Sequence, residues 1–182
     1  MDWEVNMKND IQNIFGSTMA RSMEGMANVF KNANMTPEEI AESIKDFHET
    51  TRAGIHISAL SSGDKETADK IDKANQIIKG RRISEFKKAV ANGTEKEFLS
   101  TMPWTDKSSL KVDMGLFRIG IPSEKPLTEE EQRYSDIIEK SIDEDIKKEA
   151  LSQGFSSVEE WREHNAKVAS SMSSSFGGIR RR

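Results

Sequence analysis

Apolar residues recur at helical spacing along most of the chain, and the exception is the stretch from Met102 to Pro126. Between Met7 and Ala33 the apolar positions are Met7, Ile11, Ile14/Phe15, Met19, Met23, Met26 and Phe30. Steps of three and four place these side chains on one face of a helix. The stripe is rich in methionine, and Gly16, Ser17, Ala20, Ser22 and Gly25 place small residues beside it. Glycine inside a helix costs about 1 kcal/mol relative to alanine, which close approach of another helix at Gly16 and Gly25 would offset.

A second helix has a clear start. Thr36 is its N-cap, Pro37 takes the first helical position, Glu39 completes a capping box, and Met35 and Ile40 suit a hydrophobic staple. Ile40, Ile44, Phe47, Thr51, Ile55 and Ala59 continue one face until Ser61-Ser62-Gly63 stops it. Residues 64–92 form a third, highly charged helical stretch, with Gly80 as a candidate break. Its narrow stripe is Ala68, Ile71, Ala74, Ile78, Ile83, Phe86 and Val90, and Asn92-Gly93 reads as its C-cap. Thr94 and Glu97 have capping-box spacing, and Pro103 ends the short helix that follows.

Three of the four prolines (Pro103, Pro122 and Pro126) bound a connector that also carries Trp104. Within it Leu110, Val112 and Met114 alternate with polar residues, and Phe117, Ile119 and Ile121 resume the alternation after Gly115-Leu116. That pattern predicts at most two short strands, as a small hairpin or an extended arm. Thr128 to Glu131 then opens another capping box in a helix striped by Tyr134, Ile137/Ile138, Ile142, Ile146 and Ala150/Leu151. Gly154 closes it with Phe155 folding back, and residues 156–159 restart a helix carrying Val158, Trp161, Asn165, Val168 and Met172. Residues 150–164, ALSQGFSSVEEWREH, resemble the helix-turn-helix hairpins with GF-S-EEW found in several bacterial and phage families, including some RNA-binding barrel domains of the ASCH type. The likeness spans about fifteen residues and amounts to a C-cap followed by an N-cap. The strands of such a barrel have no counterpart here, so the resemblance implies no function.

The expected fold is mainly α, with about 60–65% of residues helical. It is a bundle-like body in two halves: a helical half at 1–101, a connector at 102–126, a helical hairpin at 127–172, and a Ser/Gly/Arg tail at 173–182.

Composition narrows the function. Aliphatic and aromatic residues make up 35% of the chain and charged residues 32%, as expected for helices with one face in water. The net charge of −4 argues against general nucleic-acid affinity. With no cysteine, thiol catalysis and thiolate metal sites are excluded. The acidic start shows no secretory signal, and no apolar run approaches the roughly 18 residues that span a bilayer. A cytoplasmic location, or one within a viral particle, is therefore expected. His48 and His56 lie eight residues apart, a spacing that does not make a metal pair. No phosphate loop, zinc helix or nucleophile elbow is present, so neither a catalytic residue nor a cofactor is assigned.

The expected function is a non-enzymatic structural or interaction component of a larger assembly, of a kind that would suit a viral or phage particle. Its partners would be other protein chains, copies of itself included, and no membrane. Met19, Met23, Met26, Phe30, Trp104, Phe117 and Ile119 are the candidate contact residues, although the methionine stripe reads first as an ordinary core helix with flexible gap-fillers. The alternative is a nucleic-acid-associated protein using Lys79, Arg81, Arg82, Lys87 and Lys88 together with Arg180, Arg181 and Arg182.

Overall fold

The computed structural model describes residues 16–116 and 126–177, with backbone alone for 171–177. It is 81% helical and has no strand among the described residues, in line with a mainly α chain. The helices are α1 (Ser17–Asn32), α2 (Pro37–Ile44), α3 (Glu49–Ser61), α4 (Lys65–Asn92), α5 (Glu95–Ser100), α6 (Trp104–Asp113), α7 (Glu129–Ser152) and α8 (Val158–Gly177). They fall into two compact units, Met1–Ala91 and Asn92–Arg182.

The first unit is built on a close pairing of α1 with α3. Met23, Ala27 and Phe30 of α1 meet Ile40, Ala41 and Ile44 of α2, Ile55 and Ala59 of α3, and Ala68, Ile71, Ala74 and Ile78 of α4 in one buried cluster. Met26, Met35, Phe47, Leu60 and Ile77 pack against its edge. Removing these side chains from water supplies the main driving force for bringing the helices together.

Several helix ends close in the same way. The N–H of Met35 reaches the carbonyl of Phe30 while Asn34 turns back to Lys31, and Asp64 with Gly63, Leu116 with Gly115 and Phe155 with Gly154 repeat the pair of bonds. The turning residue has positive φ each time: 48° at Asn34, 75° at Gly63, 69° at Gly115 and 85° at Gly154. This is the Schellman closure, which satisfies orphan carbonyls and reverses the chain, and it forms at Gly154-Phe155 as the sequence predicts. The starts agree with expectation at two places. Thr36 and Thr128 each form a full capping box with the glutamate three residues on.

Other expectations are corrected. Gly16 lies outside α1, at its N-cap with φ 75°, and a Cβ on Gly25 would meet nothing within 4 Å, so neither glycine marks a close helix approach here. The single helix expected from Thr36 to Ala59 is two, broken between Lys45 and His48. His48 caps the second of these, its Nδ1 accepting from the N–H of Thr50 at 3.3 Å. The break frees the carbonyl of Phe47, and the buried Arg52 guanidinium donates to it at 2.5 Å. Gly80 does not interrupt α4. Thr94 does not cap α5, because it follows the left-handed Gly93 and its own ψ of 17° is not that of an N-cap. The last helix is capped by Ser157, whose hydroxyl accepts from Glu160, and its backbone continues to Gly177 through part of the expected tail.

The largest correction concerns the connector. Leu110, Val112 and Met114 do not form a strand: residues 104–113 are α6, and Met114 follows as its C-cap. In the second unit α5, α6 and α8 each pack on α7. Helix α6 packs with Leu110 and the nearly inaccessible Lys107 buried, while Val112 is 58% exposed. The Lys107 ammonium donates to Ser141 Oγ at 2.8 Å and is ion-paired with Asp145, both on α7. The remaining strand positions, Phe117, Ile119 and Ile121, lie outside the described residues.

Two outcomes are expected from these contacts. Asp145→Ala leaves a buried ammonium without its counter-ion and should destabilise the second unit by roughly 3 kcal/mol, whereas Lys107→Met should cost less, as chemical denaturation would show. At the α2 cap, the Thr36 backbone N–H and hydroxyl hold the Glu39 carboxyl below its usual range. Its folded value is thus below its unfolded one. The stabilisation is complete above the unfolded value and is lost as pH falls through the folded value. Glu39→Gln should lower the melt slightly at neutral pH and flatten the acid limb, the difference from the native chain vanishing as pH falls through that window, as thermal melts across pH would show.

Candidate functional site

Helix α1 carries two apolar rows displaced by one residue. Ala20, Met23, Ala27 and Phe30 are buried in the core of their own unit. Met19, Ser22, Met26 and Val29 form the neighbouring row, rotated by about 100°. Met26 sits at the core's edge, but Met19 is 51% and Val29 is 59% exposed. Among the expected contact residues, then, Met23 and Phe30 face inward and Met19 faces outward. Val29 was not foreseen, although it stands three residues beyond Met26 and its spacing could have revealed it. Trp104 opens α6 and is half-buried, whereas Phe117 and Ile119 lie outside the described residues.

The basic cluster does not form one face. At about 100° per residue, Lys79 and Arg82 lie on one side of α4, Arg81 and Lys88 lie nearly opposite, and Lys87 falls between. Arg81 is paired with Glu42, which also takes a hydrogen bond from Lys45 at 2.9 Å. Those two bonds, Lys45's first, hold the Glu42 carboxyl below its usual range. Lys79 faces Glu49 at 3.9 Å. Arg81 and Lys79 are thus engaged with carboxylates of the same unit. Arg180, Arg181 and Arg182 lie outside the described residues.

Among the described residues, Lys107 contacts Ser141, a serine–lysine pairing of a kind that some catalytic sites use. Asp145 ion-pairs with the same Lys107 nitrogen, so the three side chains together join α6 to α7 in one contact. A cavity of about 220 Å³ lies beside it, lined by Glu95, Leu99, Ser100, Ile137 and Ser141 among others. No group of three or more histidine, aspartate or glutamate side chains is placed to hold a metal among the described residues. No helix among them is long and apolar enough to cross a membrane.

Comparison with known proteins returns no matching family model, no similar curated protein and no similar solved structure.

The two rows of α1 separate under substitution. Met23→Glu places a charge in the sealed core and should unfold the first unit, seen as loss of the cooperative melt.

Proposed function

We propose that this chain is a non-enzymatic structural or interaction protein, one component of a larger assembly, which meets another protein chain through the outer row of α1. The observation that carries this reading is the exposure of Met19 and Val29 beside a completed core. Methionine is flexible and polarizable, which suits a surface that must fit a partner shaped elsewhere. Ser22 and Gly25 keep the same side of the helix low, so a partner can approach closely. Exposed apolar rows of this kind are characteristic of contact sites when they are contiguous and not scattered. The extended exposure of α8, whose described residues from Arg162 to Ser170 all lie open to water, supports a second place of contact. Helices with so little packing are marginal alone.

The decisive variant is Met19→Glu with Val29→Glu. Both positions are exposed, so the melt should move by no more than about 0.5 kcal/mol in stability, while self-association or partner capture is lost. Light scattering on the purified chain and recovery of partners from its native source read the second effect. An assembly that survives this double substitution, or a wild-type chain that stays monomeric at high concentration and brings down no partner, would overturn the proposal. Association should also persist at high salt, since apolar burial is not screened as phosphate contacts are.

A further inference from the structure

Serine hydroxyls inside helices commonly turn back to the preceding turn. Those of Ser43, Ser100, Ser108 and Ser152 each donate to a backbone carbonyl three or four residues earlier. Ser141 of α7 makes no such bond. Its oxygen accepts from the Lys107 ammonium at 2.8 Å. An ammonium has no lone pair to accept with, so the serine proton must go elsewhere, and no acceptor takes it among the described residues. Accepting from a cation also polarises the hydroxyl and makes it a better donor.

Ser141 lines the cavity of about 220 Å³ that α5 and α7 form within the second unit. Leu99, which is buried, and Ile137, which is half-buried, give that cavity its apolar lining. Three lysines, Lys96, Lys140 and Lys148, and three acids, Glu95, Glu144 and Asp145, complete the charged part. Asp145 is already matched by Lys107. Three positive charges therefore face two negative ones, a surplus of one.

The donor and the surplus charge narrow the ligand. A cation would meet an excess of its own sign and could not accept from Ser141. A neutral carbonyl compound would accept but leave the charge unbalanced. A multiply charged anion would overshoot the balance. The space is below the roughly 300 Å³ of common ligand pockets, which limits the occupant to a few heavy atoms. We infer that this cavity binds a small monocarboxylate, its carboxylate accepting from the Ser141 hydroxyl and its short hydrocarbon body lying against Leu99 and Ile137. The site is separate from the outer row of α1 and does not depend on it.

Pentanoate is the probe, titrated at neutral pH and constant ionic strength into the isotope-labelled full chain and followed by amide chemical shifts. Saturable shifts should be confined to residues 95–100 and 137–148, with millimolar affinity. Acetate, which lacks the hydrocarbon body, and pentanamide, which lacks the charge, should each bind several-fold more weakly. Pentylammonium should not saturate. Ser141→Ala should weaken pentanoate by about tenfold, while Ser141→Thr, which keeps the hydroxyl, should retain it. If Ser141→Ala loses the folded spectrum, the exposed pair Lys140→Gln with Lys148→Gln gives a second reading: the fold should remain and pentanoate should weaken several-fold. No saturable shift with pentanoate would overturn the inference, leaving the Ser141 proton to water. Equal binding of acetate or of pentylammonium, or pentanoate binding unchanged by a folded Ser141→Ala chain, would overturn it as well.

Discussion

A helix of eight to sixteen residues is marginal in water, because nucleation fixes several residues for each bond gained. The first unit contains α2 with 8 residues, α3 with 13 and α1 with 16, so none is expected to hold its shape unaided. Their stability depends on burying one face against the others, and that in turn requires each helix to stop and turn at a fixed residue. The left-handed closures at Asn34 and Gly63 meet that requirement. At the first of them Phe30 and Met35, joined by the outer bond of the closure, also join the core and its edge. The turn and the packing are one interaction seen at two scales.

The second unit solves the same problem with fewer apolar side chains. Helix α6 would present a poor face if only its aliphatic residues counted. Lys107 completes it, with its stem buried and its ammonium satisfied on α7 by Ser141 and Asp145. Such a pair contributes less net stability than a hydrocarbon would, since desolvating both charges is costly. It has a geometric demand that leucine lacks: only one register of α6 on α7 brings nitrogen and oxygens together.

This explains which parts of the fold were legible. Thr36-Pro37-Glu39, Thr128-Glu131 and Gly154-Phe155 were readable because capping is local chemistry, settled within a few residues. The α6 helix was misread because Leu110, Val112 and Met114 alternate by coincidence: Leu110 is buried and Val112 is not. The inward-facing residue between turns is a lysine, which an apolar pattern does not count. The break at Lys45–His48 was hidden for a related reason. Ile44, Phe47, Thr51 and Ile55 keep helical spacing across it, and the cost of the freed carbonyl is offset by Arg52, several residues away.

The candidate contact surface was half legible, and the reason is geometric. Spacing identifies that α1 has apolar residues on one side, but two rows one residue apart share that side. Which row faces the unit's own core is decided by α2, α3 and α4, not by α1. The consequence is that folding and the proposed contact surface are coupled. The inner row fixes the rotation of the helix, and that rotation sets how far Met19 and Val29 stand into solvent. A substitution in the inner row therefore changes the outer surface even where the chain remains folded. A surface defined this way gets its shape from the core beneath it, and Met26, packed against the edge of that core, links the two rows.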